Sequence, residues 1–232
     1  MHAGSITPLD VPTLTRHVVF FGGTFDPPHD AHVKLVAAAR DVIDREATLV
    51  FVPAAKSPFK VGVAGTAAAH RIAMVRLAIV GVRDAVVWTD EVDRAAAAPD
   101  VPSYTVDSIA RMRTVLPRAK VTLLIGADQA ASFHRWREWR TLLERTSVRA
   151  LLREPFVTAE QLMDALRESG AWSDAEIEAW RGRVVAMHGP IHPARSTDIR
   201  QRIAASGIAS VPREWLHPDV ARYIVEHDLY SE

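Results

Sequence analysis

The chain contains no cysteine. That absence excludes disulfides, thiolate nucleophiles, and zinc or iron–sulfur centres held by sulfur. A surplus of charge is missing too: Lys plus Arg and Asp plus Glu number 28 each in 232 residues. No global field therefore draws nucleic acid or anionic lipid, and any bound anion must be held by a local constellation. No apolar run approaches the roughly 20 residues of a membrane-spanning helix. Residues 1–16 hold Pro8 and Pro12 and lack an unbroken apolar stretch, so they do not read as a signal peptide. These absences predict a cytoplasmic protein that engages neither nucleic acid nor membrane. A homo-oligomer is compatible with them. Internal repeats, low-complexity tracts and long linkers are also lacking.

What is present is the balance of an ordinary folded core, with 48% hydrophobic and 24% charged residues. Apolar, β-rich runs at 17–21, 47–52, 84–89, 120–125 and 147–152 read as strands, with a sixth candidate at 184–187. Helical spacing falls between them, at 30–43, 67–80, 105–115 and 130–144. Strands alternating with helices predict a parallel sheet covered on both faces, wound in a Rossmann-like order. Residues 154–183 break the rhythm. There Thr158 with Gln161, and Ser173 with Glu176, have capping-box spacing, which predicts two short helices. The expected organisation is one domain over 1–232, with an N-terminal extension over 1–16, a helical insertion near 154–183 and C-terminal helices from 196.

Directly after the first strand the sequence reads FGGTFDPPHDAH, residues 21–32. Gly22 and Gly23 permit a tight turn and close approach of backbone N–H groups to a ligand. The helix starting near Asp30 points its free amides and positive dipole end into that turn, where a phosphate is favoured. Thr24 adds a hydroxyl. His29 and His32, three apart, can face the same phosphate. Two other readings stay open: a plain glycine turn with two surface histidines, and a His-x-x-His metal pair, although no third ligand is identifiable. No metal-ligating set is expected.

Further along, Ser196 or Thr197 is expected to cap a helix and leave amides free for phosphate oxygens, with Arg200 one turn on as a charged donor fork. Gly126 and Asp128 follow the fourth strand, where a carboxylate can accept the hydroxyls of a ribose. Ser103 reads as a helix cap, Lys60 and Lys56 as loop lysines, and Trp136 and Trp139 as tryptophans on one amphipathic helix. The arginines at 135, 137, 140, 145 and 149 read as a solvated face.

Residues 21–32 resemble the GGTFDPxHxGH motif of the nucleotidyltransferase superfamily, and specifically that of bacterial nicotinate mononucleotide adenylyltransferases. Ala31 stands where the family has glycine. The run ARSTDIRQRI (194–203) resembles the family's ISSTxIR motif, with Arg195 in place of its first serine. PAAKSPFK (53–60) resembles a loop ending in Pro-Pro-His-Lys, with Phe59 for the histidine. PSYTVDSI (102–109) and LLIGADQAASFHRWREW (123–139) are similar to the family's SYT and GxD…W segments. The resemblance covers about 17–150 and 184–230.

It implies adenylyl transfer from ATP to nicotinate mononucleotide by in-line attack, without a covalent intermediate. His29, His32 and the Thr24–Phe25 backbone would hold the α-phosphate, with Gly22 and Gly23 also on ATP and Ala31 beside the adenosine. Lys60, Ser196, Thr197 and Arg200 would hold the leaving pyrophosphate. Gly126 and Asp128 would hold the ATP ribose, Ser103, Tyr104 and Thr105 the nicotinate carboxylate, and Trp136 the pyridine ring. Mg²⁺ would arrive on the ATP phosphates. Transfer to nicotinamide mononucleotide or phosphopantetheine, and a nucleotide-binding protein without turnover, remain alternatives.

Overall fold

The computed structural model describes residues 5–12, 14–55, 65–99, 101–185 and 192–231. Six strands form one sheet: β1 (His17–Gly23), β2 (Thr48–Pro53), β3 (Ala85–Val87), β4 (Lys120–Gly126), β5 (Ser147–Leu151) and β6 (Val184–Val185). β2 is buried at every position. That is why its sequence is a continuous apolar run and not an alternating one: helices cover both faces. Every pairing is parallel, in the order β3-β2-β1-β4-β5-β6. The chain winds outward from β1 to β3, returns to place β4 on the other side of β1, and winds outward again. The strand order reverses between β1 and β4, and open α/β sheets bind ligands at the carboxyl ends flanking that reversal. β1 ends at Gly23 and β4 at Gly126, so both glycine motifs open onto the same crevice.

The covering helices are α1 (Asp30–Ile43), α2 (Ala68–Ala78), α3 (Asp90–Ala97), α4 (Thr105–Val115), α5 (Ala127–Ala131), α6 (Trp139–Arg145), α7 (Ala159–Glu168), α8 (Asp174–Arg181), α9 (Ser196–Ser206) and α10 (Pro218–Glu226). The period-two alternation of strand side chains divides the core. Val18, Phe20, Val50 and Val52 pack with Ile109, Met112, Phe133 and Trp180. Val19, Leu49 and Phe51 pack with Val36, Met74, Ile199 and Ile224. No helix among the described residues is long and apolar enough to cross a membrane.

Both expected capping boxes form. The Gln161 side chain accepts the Thr158 amide at 3.0 Å while the Gln161 amide donates to Thr158 Oγ1 at 3.3 Å. Ser173 and Glu176 repeat the arrangement at 2.8 and 3.4 Å. The resulting pair, α7 and α8, is no loose appendage. Leu162, Met163, Leu166, Trp172, Ile177 and Trp180 all enter the core, and the pair makes the crossover that parallel neighbours β5 and β6 require.

Two expectations are corrected, and one helix is added. The single helix over 130–144 is three pieces: α5, a 3₁₀ turn at Phe133–Arg135, and α6. Trp136 is extended and Glu138 left-handed with φ of 50°. Aromatic packing overrides helical propensity here, since Trp136 turns onto Phe133 at 5.1 Å and Trp139 onto Trp172 at 4.4 Å. The third strand is shorter than 84–89: it ends at Val87, and Trp88, whose amide still donates to the Phe51 carbonyl at 2.9 Å, buries its ring and donates Nε1–H to the Thr7 carbonyl at 2.9 Å. α3 then follows unannounced, anchored by the fully buried Asp90, on which Arg111 and Arg94 converge.

Candidate active site

β1 runs straight into the glycine turn, and its geometry explains the second glycine. A Cβ on Gly23 would meet the Phe25 ring at 3.0 Å. Phe25 takes a left-handed φ of 52°, rare for a residue with a side chain. Its ring folds back beneath the turn against Phe21, Phe51 and His32 and is 2% exposed. The phenyl ring is thus core. Arg71, from α2, braces the turn from below. Its buried guanidinium donates to the carbonyls of Thr24, Ala54, Ala55 and Thr66 at 2.7–3.2 Å. Asp26 is tied equally firmly, accepting from the Tyr230 hydroxyl at 2.7 Å and the Thr66 amide at 3.4 Å.

His29 is the N-cap residue of α1 and His32 its third residue. Their rings stack with centroids 3.7 Å apart. The His29 amide donates to His32 Nδ1 at 3.3 Å, so a neutral His32 carries its proton on Nε2, free as a donor. Burial, then the nearby charges of His32, His192 and Arg153, hold the His29 imidazole far below its ordinary value. Burial and the Arg153 charge push His32 down to about 3. Both rings are therefore neutral N–H donors at physiological pH, and His29 Nδ1 is buried with no partner among the described residues. Ala31 lies half-buried between them in the first turn of α1.

The C-terminal motif meets this turn directly. Ser196 Oγ donates to the Pro27 carbonyl at 2.9 Å, and Arg200 donates to the Asp26 carbonyl at 2.6 Å. Segments about 170 residues apart in sequence thus share one cleft. Two details of the reading change. The N-cap of α9 is Arg195, without a side-chain cap bond. Ser196 and Thr197 are therefore the first two helical residues, whose amides have no intrahelical acceptor. The Ser196 hydroxyl proton is spent on Pro27, which makes this side chain a tie between the segments.

Beyond β4, Asp128 is not free. Arg153 holds both its oxygens at 2.6 and 2.7 Å. Burial raises the Asp128 pKa, but the Arg153 bonds and charge outweigh it and leave the carboxyl below its ordinary value. Gly126 makes room for this pair: a Cβ there would meet Asp128 Oδ1 at 2.5 Å and Arg153 Nε at 2.6 Å. Tyr104, not Ser103, is the N-cap of α4. Helix-start amides therefore belong to Thr105 and the residues after it. The Arg137 guanidinium lies 4.7 Å above the Tyr104 ring, which brings the SYT segment beside the turn that carries Trp136. Arg140 similarly covers Trp139 at 3.9 Å, so two arginines of the expected solvated face stay exposed and also stack on aromatics. Lys56, Phe59 and Lys60 lie outside the described residues. No group of three His, Asp or Glu suited to a metal occurs among the described residues.

Sequence reasoning missed Arg71, Arg153, His192 and Tyr230. Arg71 and Tyr230 gave no local signal, because their partners lie far away in sequence. Arg153 follows β5 directly, and strand ends on the crevice side were the place to look for it.

The comparisons with known proteins agree with this geometry. Residues 20–202 match the cytidylyltransferase-like family. A protein of Neisseria meningitidis serogroup C named a probable nicotinate-nucleotide adenylyltransferase is 33% identical over 218 residues, 94% of this chain and 100% of its own. A Stenotrophomonas maltophilia protein of the same name is 33% identical and covers 91% and 96%. Among solved structures, the Plasmodium falciparum nicotinic acid mononucleotide adenylyltransferase complexed with NaAD aligns with a TM-score of 0.68, covering 93% of this chain and 97% of its own. At 16% identity that likeness concerns the fold alone.

Proposed function

The chain belongs to the cytidylyltransferase-like family, and from that premise we propose that it transfers the AMP part of ATP to nicotinate mononucleotide. The products are nicotinate adenine dinucleotide and pyrophosphate, a step of NAD biosynthesis. Two lines support the acceptor: relatives named for that activity that align with almost the whole chain, and the SYT and Trp136 segments lying side by side.

The observation that carries the reading is the pair of bonds from Ser196 and Arg200 to the Pro27 and Asp26 carbonyls. They bring the starts of α1 and α9 together, which supports a single triphosphate held by the amides of both. A phosphate of the acceptor attacks the α-phosphorus, its new P–O bond forming as the bond to the β-phosphate breaks. The attacking phosphate is already ionised near neutral pH, so no side chain need serve as nucleophile or strong base. Catalysis is then positioning and charge stabilisation. His29 and His32 donate to the α-phosphate from their N–H groups, together with the backbone of Gly22, Gly23, Thr24 and Phe25. Thr197, Arg200 and Lys60 hold the leaving pyrophosphate. Thr105 and Tyr104 face the carboxylate, Trp136 the ring, and Asp128 the ATP ribose once Arg153 yields. Mg²⁺ arriving on ATP would screen the phosphate charge, and Asp26 beside the turn is already engaged by Tyr230 and Thr66.

Pyrophosphate release with ATP and Mg²⁺ tests the reading. Nicotinate mononucleotide should be preferred over its amide and over phosphopantetheine. Preference for phosphopantetheine, or nucleotide binding without release, would contradict it.

A further inference from the structure

Resting on the functional reading above, we propose that His192 is a further phosphate-holding residue, on the pyrophosphate side of the cleft. His192 lies four residues before Ser196, on the backbone that leads into α9. Its Nδ1 accepts the Ala194 amide at 3.2 Å. A neutral ring must then carry its proton on Nε2, which remains a donor. Through Ser196, whose hydroxyl meets the Pro27 carbonyl at 2.9 Å, this backbone stands beside the turn that carries His29, and a charge on His192 would oppose the protonation of His29.

The space between them is already short of acceptors. His29 is 4% exposed, and its Nδ1 has no partner among the described residues. The first amides of α9 lack a side-chain cap. The nearby carboxylates are both engaged, Asp26 by Tyr230 and Asp128 by Arg153. Buried donors without acceptors are costly, and a diphosphate satisfies several of them together. In the reaction His192 donates a hydrogen bond to the departing pyrophosphate and transfers no proton.

A merely structural His192 would act through Nδ1 alone, by holding the loop at Ala194. Two substitutions separate the roles. His192→Asn keeps an acceptor near the Nδ1 position and removes the outer donor; His192→Gln places an amide N–H near the Nε2 position. The experiment combines steady-state kinetics, calorimetric binding of inorganic pyrophosphate, and a thermal melt. Expected for His192→Asn are an unchanged melt, pyrophosphate binding about tenfold weaker or more, and kcat lowered by about tenfold to a hundredfold, as for loss of one positioned donor. The KM for nicotinate mononucleotide should stay within about twofold, and His192→Gln should restore most of the loss. An Asn variant that binds pyrophosphate and turns over like the parent overturns the inference, and so does a Gln variant as weak as Asn. If the parent chain itself releases no pyrophosphate from ATP and nicotinate mononucleotide, the functional reading falls first and this inference with it.

Discussion

Lowering the pH should destabilise the protein through the two stacked histidines. In the unfolded chain each imidazole titrates near 6.5, whereas in the fold His32 is pushed down to about 3 and His29 lower still. Below about pH 6.5 the unfolded state binds protons that the folded state does not, so stability falls as pH falls. The contribution is complete above that point and is lost progressively toward pH 3. From 6.5 to 5.0 each group costs at most about 2 kcal/mol, since one pH unit is worth about 1.4 kcal/mol. The two together approach about 4 kcal/mol, a large share of a typical 5–15 kcal/mol total. The assay is urea unfolding, followed by tryptophan fluorescence at pH 7.0 and 5.0. The His29→Gln/His32→Gln double variant, which cannot take up these protons, should lose several kcal/mol less than the parent over that range. Parallel losses in parent and variant would show that these imidazoles are not held neutral by the fold.

Three further outcomes are expected. His32→Ala should lower turnover by about 10²–10⁴ while leaving the thermal melt nearly intact, the range for removing a positioned donor; parent-like turnover would count against the site. Trp136→Ala should raise the KM for nicotinate mononucleotide more than that for ATP, and an equal rise for both would make this indole simply core. Gly126→Ala should displace Arg153 from Asp128, because a methyl would stand 2.6 Å from the Arg153 Nε. A partly exposed pair of this kind is worth about 1 kcal/mol or less. The clearer readout is the Asp128 carboxyl, whose NMR titration should move upward once Arg153 leaves; an unmoved titration would refute the steric argument.

The parts of the fold legible in sequence are those set by local patterns. Apolar runs alternating with helices announced the six strands and a Rossmann-like winding, since parallel neighbours require crossovers. The two capping boxes at Thr158 and Ser173 appeared as spaced because they depend only on residues three apart. Failures came where tertiary packing decides. Trp136 and Trp139 break a helix to reach different aromatic partners, one of them in α8's approach, and nothing in local spacing announces that. The glycine turn and the α9 motif were each readable by themselves. Their meeting was expected only through the family resemblance and not from local pattern, because the Ser196–Pro27 and Arg200–Asp26 bonds join distant segments. Asp128 was placed correctly at a strand end, but its Arg153 partner depends on the register of β4 against β5.

A crystal structure of the chain with a non-hydrolysable ATP analogue tests the central claim most directly. The account predicts one triphosphate within hydrogen-bonding distance of both His29 or His32 at one end and the first amides of α9 at the other. A triphosphate bound at only one of these helix starts, with the second facing solvent, would contradict it.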